Sequence, residues 1–129
     1  MPGSGGPGRG GVFLNRYAPL AYHARVRFVE TTVFTVVLQR HLDDERYRQL
    51  QVALMLRPEQ GPVIKGSGGL RKVRWSPSGV GKRGGVRVIY YWAPEEGVCY
   101  MLYIYSKVEQ EDLTPLQVRA LAKVVREEL

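Results

Sequence analysis

The 129-residue chain holds one cysteine, Cys99, so an internal disulfide is excluded, and no second thiol or histidine pair stands at metal-ligand spacing. A reducing, cytoplasmic setting fits that usage. No apolar run approaches the ~20 residues that a helix needs to cross a bilayer, which leaves no membrane partner in view. The chain has no phosphate-cradling Walker loop, no HExxH, no GxSxG and no paired carboxylate on its strand-like segments. A metal-dependent nuclease is therefore disfavoured, and neither a metal nor another cofactor is expected. Acidic residues are also scarce, 12 against 19 Lys and Arg, for a formal net charge of +7. An excess of cations points to a polyanionic partner, because side chains that neutralise phosphates release condensed counterions.

What is present suits one domain. Residues 1–24 form a Gly/Pro-rich stretch, expected to be a flexible extension outside the fold, because it offers little apolar surface to bury. The domain proper is expected over 25–129. Basic and apolar residues alternate in RVRFVE (25–30), the period of a half-buried strand. Thr31 or Thr32 is placed to cap a short helix in which Phe34, Val37 and Leu38 share a face. Asp43 and Asp44 open a second helix carrying Tyr47, Leu50 and Leu54 inward, and Pro58 ends it. The stretch EQGPVIKGSGG predicts a surface loop. Three strands are then expected, 70–75, 86–92 and 98–105, rich in β-branched and aromatic residues and ordered as an antiparallel meander. Thr114, Pro115 and Gln117 make an N-cap, first-turn proline and capping box for a last amphipathic helix with Val118, Leu121 and Val125 on one face. The acids of EQED (109–112) are expected to serve that helix's dipole.

Charge gathers in one region. Between Arg57 and Arg87 stand eight basic residues, Arg57, Lys65, Arg71, Lys72, Arg74, Lys82, Arg83 and Arg87, against one acid, Glu59. Alternation puts Lys72 and Arg74 on one strand face and Val73 and Trp75 on the other. Arg87, Ile89 and Tyr91 share a face of the next strand. On the last strand Tyr103 and Tyr105 are expected to share one with Cys99 and Met101. If the faces coincide, cations track phosphates and phenol rings offer stacking worth roughly 1–3 kcal/mol per base, a groove suited to single-stranded RNA. The plainer reading stands beside it: a basic strand face is as a rule only solvated, strand tyrosines are as a rule packing, and Cys99 serves as a small hydrophobe.

Taken in order, GGLRKVRW (68–75), GKRGGVRVIYYW (81–92) and LYIYSKVEQEDLTP (102–115) resemble the HigB branch of the RelE toxin superfamily over roughly Val26 to Leu129. The resemblance implies an α+β fold, with two N-terminal helices packed on a small antiparallel sheet and a C-terminal helix flanking a groove. It implies a toxin of a type II toxin-antitoxin system that binds the 30S ribosomal A site and cuts mRNA, inhibiting translation. Such endoribonucleases need no metal: the 2′-OH attacks the adjacent phosphate, leaving a 2′,3′-cyclic phosphate and a free 5′-OH. A cognate antitoxin, commonly one with a DNA-binding helix-turn-helix, is implied as partner.

The same resemblance assigns roles. Lys72 and Arg74 match the paired basic residues of the family's second strand, and Arg87 matches the arginine that grips the scissile phosphate. Two positions depart from the pattern. Arg74 stands where better-studied members carry lysine, and a guanidinium is a poor general base, so the base falls to Lys72, Lys82 or Tyr91. Val108 follows Lys107 where those members place a catalytic arginine, and their tyrosine near the last helix has no equivalent around Thr114, so Lys107, then Tyr105, is the candidate general acid. Arg71, Lys82, Arg83, Tyr103 and Tyr105 are the candidate RNA contacts. Because the departures fall at catalytic positions, a non-catalytic RNA-binding or interaction protein of this fold is the alternative, and a ParE-like gyrase inhibitor a third.

Overall fold

A computed structural model describes residues 13–17, 26–76 and 85–129. The elements run β1 (Phe13–Tyr17), β2 (Arg27–Thr31), α1 (Thr32–Leu38), α2 (Asp44–Leu56), β3 (Arg71–Trp75), β4 (Val86–Ala93), β5 (Val98–Ser106) and α3 (Pro115–Glu128). They form an α+β fold around one five-stranded sheet of order β1-β2-β5-β4-β3. The expected meander is present, with β3, β4 and β5 antiparallel to one another. The sheet as a whole is mixed rather than antiparallel, because β2 lies parallel to β5, Arg27 opposite Val98 through Glu30 opposite Met101. That pairing needs a long crossover, which α1, α2, β3 and β4 supply. Strand β1 lies within the stretch in which no element was expected, and pairs antiparallel with β2.

Local chemistry sets the helix boundaries. The Thr31 hydroxyl accepts from the Phe34 amide at 3.0 Å, and the Asp43 carboxylate accepts from the Arg46 amide at 2.8 Å, so each residue takes up a donor that the first turn leaves orphaned. In α3 the full capping box forms between Thr114 and Gln117, with Pro115 in the first turn. Gly97 closes the β4–β5 hairpin at φ 68°, where a side chain would be strained.

One core lies between the sheet and α1 and α2. Phe34, Leu38, Tyr47, Leu50 and Leu54 of the helices meet Phe28, Val73, Val88, Tyr90, Cys99, Met101 and Ile104 of the sheet. A second, smaller cluster lies on the other face, where Leu70, Ile89, Leu102 and Tyr105 are packed by Leu113 and by Leu121 and Val125 of α3. The helices thus cover opposite faces.

Regular alternation on β5 would put residues 99, 101, 103 and 105 on one side, as expected from the sequence. The structure corrects this. Ile89 pairs with Tyr103 and Tyr90 with Met101, so Leu102 is an extra residue that faces no partner on β4. This β-bulge resets the parity. Cys99 and Met101 enter the α1/α2 core, while Tyr103 and Tyr105 turn to the α3 face. The Leu102 carbonyl accepts from the Thr31 hydroxyl at 3.2 Å.

Cys99 is fully buried, and burial pushes its thiol up to about 12. A thiolate-selective disulfide reagent is therefore expected to leave the native protein unmodified at pH 8 and to label it stoichiometrically in denaturant. Rapid labelling without denaturant would contradict this core.

Candidate functional site

The cross-strand register assembles the site. Arg74 on β3 faces Arg87 on β4, which faces Tyr105 on β5. One step along, Lys72 faces Ile89, which faces Tyr103. Tyr91 pairs with Tyr100 beyond them. Directly opposed residues share a sheet face, so Lys72, Arg74, Arg87, Tyr91, Tyr103 and Tyr105 are brought together on the α3 side. Five of these six basic and phenolic residues stand in two adjacent rows, and Tyr91 stands beyond them.

Their exposure differs in a way the sequence does not reveal. Arg74 is exposed, and Lys72, Tyr91 and Tyr103 are half-buried. Arg87 is 8% exposed and Tyr105 1%. The Tyr103 and Tyr105 rings lie 6.1 Å apart at 31°. The Tyr105 ring in this conformation is packing, not a stacking platform for a base, and what it offers the groove is its hydroxyl, which donates to Asp112. Tyr91 is held against the loop before β3: a Cβ placed on Gly69, which has φ 110°, would stand 3.0 Å from the ring. That close approach is one reason glycine stands there.

Two candidates, Arg71 and Lys107, lie elsewhere. Arg71 alternates to the α1/α2 side, and its guanidinium donates to the Glu59 and Gly61 carbonyls at 3.0 and 2.8 Å, anchoring the loop rather than joining the groove. Lys107 is exposed in the turn after β5. Lys82 and Arg83 lie outside the described residues. The His41 side chain, in the turn between α1 and α2, is 8% exposed, with Nε2 3.4 Å from the Glu109 carboxylate.

Sequence reasoning missed Asp112. Its Oδ1 lies 3.1 Å from Lys72 Nζ and accepts from the Tyr105 hydroxyl at 3.4 Å and the Leu113 amide at 2.9 Å. The hydrogen bond from Lys72 holds this carboxyl below the usual carboxylate range. Burial, then the Asp112 charge, pushes Tyr105 up to about 12, so its phenol stays protonated throughout the neutral range. The acids of EQED precede the Thr114 cap of α3, where Glu109 accepts from the Ser106 amide at 3.0 Å and Asp112 pairs with Lys72. Nothing in the spacing connects residue 112 with residue 72; only the fold does.

No family model matches the chain. Among solved structures it is similar to E. coli toxin RelE, determined as a double mutant in the free state. Identity is 20%, over 71% of this chain and 87% of that one, with a TM-score of 0.44. No helix among the described residues is long and apolar enough to cross a membrane.

The raised Tyr105 value carries a pH dependence. A phenol that ionises near 10 when unfolded and near 12 when folded contributes stability below pH 10, and that contribution is lost as pH rises toward 12. Denaturation midpoints should fall over this interval, and Tyr105→Phe should fall less steeply. Parallel curves for the two proteins would refute the assignment. Tyr90, also raised by burial, leaves a residual slope in both.

Proposed function

We propose that the chain is a toxin of the RelE/HigB kind, a metal-independent endoribonuclease that cuts mRNA in the 30S A site and is silenced by a cognate antitoxin. One observation carries the reading. The basic and phenolic residues of three separate motifs, to which the resemblance assigns the chemistry, lie on one face of one sheet, with Arg87 between Arg74 and Tyr105.

Cleavage by the 2′-OH requires removal of that proton, neutralisation of charge at a crowded phosphorus, and protonation of the departing 5′ oxygen. Arg74 and Arg87 present permanent cations side by side, the arrangement that neutralises a phosphate through charge-assisted hydrogen bonds. Lys72, Lys82 or Tyr91, having first released its own proton, takes the 2′-OH proton. The 2′ oxygen bonds to phosphorus, the bond to the 5′ oxygen breaks, and Lys107, exposed at the end of β5, supplies the leaving group's proton. Tyr91 and Tyr103, half-buried on the same face, serve as stacking surfaces. Lys82 and Arg83 add phosphate contacts from the β3–β4 connection. The antitoxin, with a helix-turn-helix of its own, covers the basic face by charge complementarity, and the working compartment is the cytoplasm.

The non-catalytic alternative draws on a specific observation as well, the burial of Arg87 and Tyr105. Both readings meet the same test. Expression of the wild type in a bacterial host is expected to arrest growth and to give translation-dependent cuts in a reporter messenger by primer extension. Arg87→Ala, soluble to the same level, should abolish the cuts, a loss of at least about 100-fold for a group contacting the transition state. A folded wild type that leaves growth and messenger intact removes the nuclease reading in favour of the binding protein.

A further inference from the structure

Asp112 occupies a curious position for an acid on a chain of net charge +7. Three donors converge on a single one of its oxygens, Lys72 Nζ, the Tyr105 hydroxyl and the Leu113 amide. That is what a phosphoryl oxygen asks of a binding site: a cation, a neutral hydroxyl and a backbone N–H around one acceptor. Beneath it Tyr105 is shut from solvent and Arg87 nearly so. The Asp112 side chain itself is 64% exposed, against 26% for Lys72. It caps the groove from above, with water on its outer side.

We propose that the Lys72 and Tyr105 donors form a phosphate subsite for single-stranded RNA that Asp112 fills in the free protein, so that RNA enters by displacing this carboxylate. The subsite rests on the reading of the groove as an RNA site and adds to it a resident competitor. An exposed ion pair is weak, because water and salt screen it. A phosphodiester flanked by further cations can therefore replace it. Displacement frees Lys72 of its counter-charge and uncovers the Tyr105 hydroxyl beside Arg87, so the site acquires its full positive potential only as RNA arrives. The surrounding turn does not depend on the contact, being tied separately by Ser106 and Glu109 and by the Thr114–Gln117 cap.

The test uses the full-length purified protein and a short fluorescent RNA carrying 2′-O-methyl groups throughout, which lacks the attacking hydroxyl and cannot be cut. Anisotropy titrations at fixed salt compare wild type, Asp112→Asn, Lys72→Ala and the double variant. Asparagine keeps an acceptor for the Leu113 amide, and thermal denaturation confirms that each variant folds. Glu111→Gln removes the same charge from the same turn. The subsite predicts roughly 3- to 10-fold tighter binding for Asp112→Asn and less than about 2-fold for Glu111→Gln. The gain from Asp112→Asn should vanish when Lys72 is absent. Binding by Asp112→Asn that is unchanged or weaker, or a gain matched by Glu111→Gln, overturns the proposal. So does failure of every variant to bind. Ribosomal cleavage by the wild type is measured separately, so the nuclease reading can stand where the subsite falls, and the reverse.

Discussion

The sheet's functional face exists because β5 breaks its own alternation at Leu102. Without the bulge, Tyr103 and Tyr105 would enter the α1/α2 core with Cys99 and Met101, and Tyr91 and Tyr100 would be the strand phenols left on the side of Lys72, Arg74 and Arg87. With it, a single strand contributes Cys99, Met101 and Ile104 to one core and Tyr103 and Tyr105 to the opposite side. The bulge is secured from β2, where Thr31 gives its hydroxyl proton to the Leu102 carbonyl while accepting from the Phe34 amide to start α1. One hydroxyl thus fixes a helix start and the side on which two tyrosines emerge. A buried carbonyl left without a donor would cost ~1–3 kcal/mol, which ties the register of β5 to the parallel β2 strand.

On the face so defined, packing and charge are interleaved. Arg87 lies between Arg74 and Tyr105, and its guanidinium draws the phenol's ionisation downward against the dominant effect of burial. Arginine suits such a place because its planar, weakly hydrated cation tolerates partial burial better than an ammonium. Lysine stands at the half-open position 72, where it meets Asp112. Depth thus differs among the three cations, with Arg87 buried, Lys72 half-buried and Arg74 exposed.

Much of the scaffold was legible in the sequence because its signals are local. The caps at Thr31, Asp43 and Thr114, the stop before Pro58 and the β4–β5 hairpin each depend on neighbours within a few residues, and all are where the sequence put them. Alternation correctly sent Lys72 and Arg74 away from Val73 and Trp75. The same rule failed on β5, since a bulge inserts a residue without any composition of its own. Arg71, counted among the candidate RNA contacts, is on the face opposite Lys72 by that same alternation, with its guanidinium committed to two loop carbonyls. The parallel β2–β5 pairing and the approach of Asp112 to Lys72 are long-range, and no periodicity encodes them.

Three carboxylates among the described residues accept from tyrosine hydroxyls, Glu30, Asp112 and, at the β4–β5 hairpin, Glu96, and burial sets the first two apart. Glu30, fully buried, accepts from the Tyr47 hydroxyl at 2.7 Å and the Thr35 hydroxyl at 2.6 Å under the N-terminal helices. Out of reach of water, it has nothing with which to exchange those partners, and removing one would strand a buried acceptor. Asp112 has the same chemistry with its outer side in solvent, so water or another anion can compete for Lys72 and Tyr105 at little cost. The first arrangement fixes β2 to α1 and α2. The second leaves the basic face closed but replaceable, which is the property a groove for a polyanion requires.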